Sequence, residues 1–207
     1  GGISGGVGST VQIHQTGQPM SSFFVYQQVY DVDGKPIEGL YVDRNDDGKI
    51  DQFDKYCFHD PAPKVTLGFN TQLQWKDLTL AVSAHANFGN YVYDNVSSNG
   101  ELLTDLWTNS FVSNRVSSCV ETVFDESAQY LSDYYVRNAS FLKLDNITLS
   151  YRIDLGQACG RDMDLNVFAT VQNVATITGY KGIDPEIAGG IDNNMYPRPR
   201  TYILGVK

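Results

Sequence analysis

Two neighbouring stretches of the sequence alternate between apolar and polar residues, and this pattern constrains the fold more than any other feature. In 65–75 an apolar residue occupies every second position except Thr71, and 78–88 repeats the pattern after Lys76-Asp77. Because successive side chains of a β-strand point to opposite faces, a period of two predicts strands with one apolar and one polar face. Each stretch has about 11 residues, which is enough for a tilted strand to cross a bilayer. Together they predict a β-hairpin with a tight turn at 75–77.

Three later stretches show the same period. Within 140–153 the apolar residues from Ile147 onward alternate, whereas Leu142 and Leu144 lie in the opposite phase. A change of phase inside a strand predicts an extra residue, so we expect a β-bulge near Asp145. Alternation also predicts strands over 165–171, where Phe168 breaks the pattern, and over 202–206.

The first thirty residues contain weaker strand candidates. The segment that begins at Phe23 or Phe24 and ends at Tyr30 is rich in β-forming residues and predicts a sixth strand. Thr10–Gln15 is a further, shorter candidate, and residues 1–16 read as a Gly-rich lead-in.

The connections between these strands alternate in length. The links at 75–77 and 154–163 are short, and three others are long and rich in Gly, Asn, Asp and Pro: 31–63, 89–138 and 174–199. Short turns on one side and long loops on the other are typical of outer-membrane barrels, whereas a soluble β-sandwich has more uniform connections. We therefore expect an all-β chain whose strands, about six in number, belong to a large antiparallel transmembrane β-barrel. The long connections would be extracellular loops and the short ones periplasmic turns.

So few strands cannot close a membrane barrel, and the sequence shows no secretion signal at its start. The chain is accordingly expected to be a fragment of a larger barrel, over its whole length of 1–207. A net charge of −9 excludes a basic surface for nucleic acid.

Three cysteines, Cys57, Cys119 and Cys159, show no zinc-ligand spacing. The expected topology places Cys159 on the opposite side of the membrane from the other two, so only a Cys57–Cys119 disulfide is compatible with it. Two unrelated thiols are the alternative. No arrangement of residues suggests catalysis, and an enzyme is not expected.

One local motif has the ligand spacing of a calcium-binding loop. Starting at Asp43, oxygen-bearing residues stand at positions one, three, five, seven, nine and twelve, with Gly48 at position six for the sharp turn. The candidate ligands are Asp43, Asn45, Asp47, Lys49 (through its backbone carbonyl), Asp51 and Asp54. Bound Ca²⁺ would stiffen an outer loop. Position twelve holds Asp where Glu is usual, and a solvated turn rich in Asp, Asn and Gly needs no metal.

Three longer stretches carry a family resemblance. They are Asp133–Tyr151 (DYYVRNASFLKLDNITLSY), Val171–Glu186 (VQNVATITGYKGIDPE) and Tyr196–Gly205 (YPRPRTYILG). In this order they resemble the SusC/RagA family of TonB-dependent receptors, over nearly the whole chain from about residue 17 onward.

This resemblance implies a large outer-membrane barrel that is closed by an N-terminal plug. It also implies import of oligosaccharides or oligopeptides, a SusD-like lipoprotein that covers the outer mouth, and TonB as the source of energy. The remainder of the barrel, the plug and outer-membrane lipid would then be the neighbours of this chain.

Two other hypotheses remain open from the residues alone. A secreted, calcium-stabilised β-sandwich that binds glycans would also alternate along its strands. A dockerin-type module would need two calcium loops flanked by helices, and the sequence contains only a single such loop.

Overall fold

The computed structural model describes residues 11–108, 111–127, 129–158, 161–193 and 195–207. Its strands are β1 (Gln12–Ile13), β2 (Ser22–Val25), β3 (Gln28–Tyr30), β4 (Pro36–Tyr41), β5 (Tyr56–Cys57), β6 (Val65–Trp75), β7 (Leu78–Phe88), β8 (Tyr91–Asp94), β9 (Trp107–Thr108), β10 (Phe111–Val112), β11 (Val136–Asn138), β12 (Phe141–Ala158), β13 (Arg161–Thr178), β14 (Ile191–Asp192) and β15 (Thr201–Val206). Two short α-helices, α1 (Asn95–Gly100) and α2 (Cys119–Thr122), and four 3₁₀ turns, Gln52–Asp54, Thr104–Leu106, Asp133–Tyr135 and Ala188–Gly190, complete the elements.

The chain divides into two compact units. One, here called the sheet unit, comprises 63–89, 140–179 and 196–207. The other, here called the loop unit, comprises 1–62, 90–139 and 180–195.

The sheet unit contains one antiparallel sheet of five strands in the order β15-β13-β12-β7-β6. β6 and β7 have the bounds that alternation predicts, and each has 11 residues. Only Lys76 and Asp77 separate them, and Lys76 adopts a positive φ of 54°, as a two-residue hairpin turn requires.

The pairing of β12 confirms the predicted bulge. Its register against both β7 and β13 shifts between Leu144 and Asn146, which leaves Asp145 as the extra residue. Because one inserted residue reverses the phase, Leu142 and Leu144 return to the same face as Ile147.

Two connections are shorter than expected. β12 continues to Ala158 and β13 begins at Arg161, so most of 154–163 is strand rather than link. A second register shift between Asp154 and Gly156 breaks the alternation there, so sequence periodicity does not predict this part of the strand. β13 also extends to Thr178, so the long connection expected from 174 begins after that residue.

The prediction of a sixth barrel strand, from Phe23 or Phe24 to Tyr30, is wrong. Residues 23–30 form two short strands, β2 and β3, that belong to the loop unit and not to the five-stranded sheet. Phe23 is completely buried there. Four consecutive residues with apolar bodies, Phe23 to Tyr26, have no two-faced pattern, and β-propensity alone does not distinguish a wall strand from a core strand. Of the Thr10–Gln15 candidate, the described residues 11–15 contain the two-residue strand β1, whereas Thr10 and most of the predicted Gly-rich lead-in lie outside the described residues.

The loop unit is built from short strands, some of which pair over long sequence distances. β2 joins β1 and β5, β8 joins β11 and β14, and β3 pairs with β4. Its main core contains seven buried residues: Val11, Phe23, Val25, Tyr93, Leu131, Tyr135 and Val136. Cys119 is buried and Cys57 half-buried, and both are free thiols, so the Cys57–Cys119 disulfide is not formed. Cys159 lies outside the described residues.

Candidate functional site: a two-faced sheet and an Asp-rich loop

Apolar side chains of all five strands share one face of the sheet unit, because the strand register aligns them in rows. In one row Val82 of β7 pairs with Thr71 of β6 and Ile147 of β12, and the row continues through Val171 to Tyr202. The next row contains Leu73, Leu80, Leu149, Ala169 and Leu204.

The apolar face is left open to its surroundings. Leu67, Phe69 and Leu73 of β6 are 55–61% exposed, and Leu204 of β15 is 85% exposed. A water-soluble sheet hides such a face under a second layer, and exposed apolar patches of this extent mark contact with a partner or a membrane.

Aromatic residues stand at the end of the apolar face where the β6–β7 turn lies. Leu78 pairs with Trp75 on one side and with Tyr151 on the other, so the two rings flank it at one level of the sheet. Both are at least half exposed. Rings with a polar edge at the boundary of an apolar band are typical of the interfacial girdle of membrane barrels.

The opposite face of the sheet is polar. Six residues with side-chain amides lie on it according to the register: Asn70, Gln72, Gln74, Asn87, Asn166 and Gln172. On the same face Thr148 and Thr170 share a hydrogen bond of 2.8 Å between their hydroxyl oxygens.

Phe168, which breaks the sequence pattern, belongs to this polar face as well. It pairs with Gly205, and a Cβ atom built on that glycine would lie 2.3 Å from Cζ of the ring. The ring therefore covers the glycine, and Gly205 is required for this close approach.

The sequence did not reveal a charged cluster on the polar face. Nδ1 of His85 lies 2.8 Å from a carboxylate oxygen of Asp145, the bulge residue, and Lys143 is only 4% exposed. Phe141 packs edge-on against His85. Alternation placed His85 on this face, but only the bulge geometry brings Asp145 to it.

The Asp-rich loop folds around its own side-chain oxygens. The backbone N–H of Gly48 donates to Oδ2 of Asp43 over 2.8 Å, and that of Asp47 donates to Oδ1 of Asn45 over 3.0 Å. Lys49 N–H donates in the same way to Asp47 Oδ1 over 2.9 Å. Gly48 has a positive φ of 78°, which explains the glycine at this position.

Asp54 closes the loop from its far end. It is completely buried, and its carboxylate accepts the backbone N–H groups of Asp51 at 2.8 Å and Arg44 at 2.9 Å. The hydrogen bond from Asp51 is the main reason that the pKa of Asp54 lies below its ordinary value. Asp51 in turn caps the Gln52–Asp54 turn by accepting from Phe53 N–H.

One observation favours a cation in this loop. Oδ1 of Asp43 is buried and has no hydrogen-bond partner, although Oδ2 of the same carboxylate is bonded to Gly48. Ca²⁺ is coordinated by carboxylate and carbonyl oxygens, and a hydrogen-bonded carboxylate with one free oxygen suits it. However, no three Asp, Glu, His or Cys side chains within the described ranges come together in a metal-holding group. The residues therefore fit calcium in part.

Comparison with known proteins identifies the chain. It is 43% identical over 208 residues to the TonB-dependent receptor SusC of Bacteroides thetaiotaomicron, an alignment that covers 99% of this chain and 21% of that receptor. The chain is a SusC-type receptor segment. TonB-dependent receptor P3 of Formosa agariphila is 25% identical over 228 residues, which cover 94% of this chain and 22% of P3. This SusC-type segment thus spans about a fifth of the length of the curated relatives it matches.

Solved structures show the same fold. A structure of the RagAB peptide transporter matches the SusC-type segment with a TM-score of 0.71 at 23% identity, covering 97% of this chain and 24% of that one. The RagAB peptide importer in its "open-open" state gives 0.70 at 22% identity, covering 97% of this chain and 23% of that one. No family model matches.

The SusC-type resemblance and the all-β barrel fold expected from the sequence are confirmed. These relatives are receptors and transporters, so the expectation that the chain is not an enzyme is confirmed too. Within the described ranges, none of the helices has the length and apolar character needed to traverse a membrane.

Proposed function

We propose that this chain forms part of the wall of an outer-membrane importer that depends on TonB. The observation that carries the proposal is the apolar face, which runs in register across all five strands of the sheet unit and is exposed. Such a face meets hydrocarbon in a membrane barrel, while the opposite polar face borders the water-filled bore.

The dimensions of the hairpin support this. Eleven residues of β7, at about 3.4 Å per residue and a tilt of about 45°, rise roughly 25 Å along the barrel axis. This height equals the apolar band of outer-membrane barrels, about 25 Å. The secreted sandwich is less compatible, because its apolar face would be covered by a second sheet.

The remainder of the barrel is the first proposed partner. Among the described strands β6 pairs only with β7, and β15 pairs only with β13, so the sheet ends in two open edges. Unpaired backbone groups cannot be left in lipid. Strands supplied by the remainder of the barrel would satisfy them, and the plug would occupy the bore.

Cargo and further partners follow from the relatives. SusC is named a TonB-dependent receptor, and RagAB is described as a peptide importer. We infer that the cargo of this protein is an oligosaccharide or an oligopeptide, that a SusD-like lipoprotein covers the extracellular mouth, and that TonB acts through the plug. The amides and hydroxyls of the polar face can hydrogen-bond to either cargo.

An uptake experiment tests this proposal. The full-length gene is deleted in its host, and uptake of fluorescently labelled oligosaccharide and oligopeptide pools is measured with and without complementation. Uptake of one pool should fall to background and return with the complementing gene, and a protonophore should abolish it. Unchanged uptake of both pools, together with recovery of the protein in the soluble fraction, would contradict the proposal.

We further propose that the Asp43–Asp54 loop binds one Ca²⁺, which stiffens it. The proposal is supported by the unpartnered Oδ1 of Asp43 and by the turn that presents Asn45 and Asp47. Asp43, Asn45, Asp47 and Asp51 would supply side-chain oxygens, Lys49 its carbonyl, and Asp54 the closing carboxylate.

Calorimetric titration of the full-length receptor in detergent with calcium alone tests the loop. One site per chain is expected, and Asp43→Asn should weaken it at least tenfold because the substitution keeps the shape but removes the charge. Asp33→Asn, in an exposed turn elsewhere, is the control and should bind as the parent does. Absence of binding in the parent, or equal binding in Asp43→Asn, would rule this site out.

A further inference from the structure

Among the described residues, Glu101 of the loop unit is a buried acidic residue that has no hydrogen-bond partner. It directly follows α1 and is only 2% exposed, and neither Oε1 nor Oε2 accepts a hydrogen bond. Buried polar groups of folded proteins are nearly always paired, and an ionised carboxylate loses far more than a neutral group when it leaves water. A charged Glu101 would therefore be poorly accommodated in this environment.

Three elements face this carboxyl group. Ser118 and Thr122 approach from α2 and its start, Tyr135 from the Asp133–Tyr135 turn, and Arg137 from β11. The hydroxyl of Thr122 is already used, because it donates to the backbone carbonyl of Ser118 over 3.1 Å.

The two most suitable partners are also not bonded to Glu101. The Arg137 guanidinium lies 4.3 Å from the centre of the Tyr134 ring, where it makes a cation–π contact. The hydroxyl of Tyr135 is buried and, like the carboxyl, has no hydrogen-bond partner. Three buried oxygen atoms, two of Glu101 and one of Tyr135, are therefore unpaired within one cluster. Glu121, the acidic residue of α2, is exposed.

The electrostatics of the cluster favour a neutral carboxyl group. Burial raises the pKa of Glu101. The hydroxyl of Ser118, the charge of Arg137 and the hydroxyls of Tyr135 and Thr122 oppose this shift without cancelling it. Burial also raises the pKa of Tyr135, and the proximity of the Glu101 charge raises it further. Both groups thus resist carrying a negative charge.

We propose that Glu101 holds a proton in the folded loop unit. Its ionisation loosens the packing of the segment around Glu101 against α2 and the Asp133–Tyr135 turn. A neutral carboxyl group carries no buried charge, and its O–H can donate to a neighbouring hydroxyl oxygen. A small movement then pairs it with the Tyr135 oxygen. The loop unit becomes a pH-sensitive element, tighter in acid and looser in alkali, irrespective of what the protein transports.

The sign of the pH effect follows from linkage. A carboxyl group whose pKa is raised by folding stabilises the folded state fully below its ordinary, unfolded pKa. This contribution is lost as the pH rises through the higher pKa of the folded state. The loop unit should therefore lose protection as the pH increases, which is opposite to the behaviour of a carboxylate held by hydrogen bonds.

Hydrogen–deuterium exchange of the full-length receptor in detergent, from pH 5 to pH 8.5, tests this proposal. Rates in peptides covering 95–106 and 118–137 are corrected for the intrinsic effect of pH. At pH 8.5, Glu101→Gln should exchange severalfold more slowly than the parent, because the parent then buries a charge that the variant lacks. The difference should shrink as the pH falls towards 5 and approach zero only below the ordinary pKa of Glu. Glu121→Gln removes the same charge from the surface of α2 and should match the parent throughout.

Two results would overturn the proposal. Faster exchange in Glu101→Gln at every pH would mean that the folded protein holds an ionised Glu101 in a favourable pairing, including one made by ordered water. Slower exchange by the same factor at every pH would assign the effect to packing and not to protonation. The parent alone provides a second test, because corrected rates that do not change with pH contradict the proposal even if the variant fails to fold.

Discussion

The loop unit and the sheet unit use the same apolar residue types in opposite ways. Phe23 of the loop unit is completely buried in a core with Val25 and Tyr93, whereas Phe69 of the sheet unit is 58% exposed. The loop unit can therefore exclude water with its own side chains. The sheet unit turns its apolar side chains outward and depends on something outside the chain to cover them. The difference indicates that the apolar side chains of the two units meet different surroundings.

The largest predicted effect comes from making the same substitution in both units of the full-length receptor. Phe23→Ala removes a buried ring and should destabilise the loop unit by about 3–5 kcal/mol. Phe69→Ala removes a ring that does not fill a core and should cost only about 1–2 kcal/mol. Exchange protection of β2 and urea unfolding of the sheet measure the two losses. Equal losses at the two positions would remove the distinction between the units.

The second prediction concerns the two faces of the sheet. Val82→Arg places a charge on the apolar face and should destabilise the folded barrel in lipid vesicles by about 2–4 kcal/mol. Gln72→Arg places the same charge on the polar face, beside Ala81, and should change stability by less than about 1 kcal/mol. Unfolding by urea titration gives both values. A comparable penalty at Gln72 would show that the polar face does not border water.

The third prediction uses two strand glycines. Gly205→Ala would push a methyl group into the Phe168 ring and should cost about 1–3 kcal/mol through overpacking. Gly68→Ala meets no atom within 4 Å and should be neutral or slightly stabilising. Urea unfolding of the two variants compares them directly. A harmless Gly205→Ala would mean that Phe168 does not rest on the polar face.

The smallest effect is expected at Glu38, which joins β4 to 125–127. Its carboxylate accepts the backbone N–H groups of Glu126 and Ser127, each over 2.7 Å, and of Asp125 over 3.1 Å. Burial tends to raise the pKa of Glu38, but these donors outweigh it and lower the pKa. The stabilisation is thus present above the ordinary pKa of Glu and is lost as the pH falls through the lowered value.

Glu38→Gln should therefore speed amide exchange of 125–127 at pH 7 by an amount equivalent to about 0.5–1 kcal/mol, since the group is partly exposed. The effect should shrink as the pH falls below about 4. Glu121→Gln is again a suitable control. An effect that is independent of pH would argue against a role for the charge.

Sequence periodicity predicted the sheet unit because each of its strands lies between two different environments. The bounds of β6 and β7 and the bulge at Asp145 follow from which face each side chain must take. Periodicity failed past Ile153, where the irregularity between Asp154 and Gly156 interrupts the alternation although the strand continues.

The loop unit could not be predicted in this way. Its strands have two to six residues, and several contacts join residues that are distant in sequence: Phe24 pairs with Cys57, and Gln28 bonds to Ser132. Most of these strands are shorter than the roughly four to eight residues over which alternation indicates a strand. The site shows the same division. The spacing of Asp and Gly residues predicted the turn at Gly48. The burial of Asp54 and the pairing of His85 with Asp145 depend on contacts that form only on folding.

The central claim is that the apolar face of the sheet meets lipid and the polar face meets water. It is tested most directly by nitroxide scanning of the full-length receptor in lipid vesicles, with the natural cysteines replaced. Labels are placed through Leu80→Cys, Val82→Cys and Leu149→Cys on one face, and through Thr79→Cys and Ser150→Cys on the other. Spin relaxation is then compared with oxygen, which dissolves in lipid, and with a nickel complex, which stays in water. Relaxation by oxygen should exceed relaxation by the nickel complex at the first three positions, and the reverse should hold at the other two, with a period of two along β7. Labels at 80, 82 and 149 that neither reagent reaches would indicate a covered protein core and contradict this account.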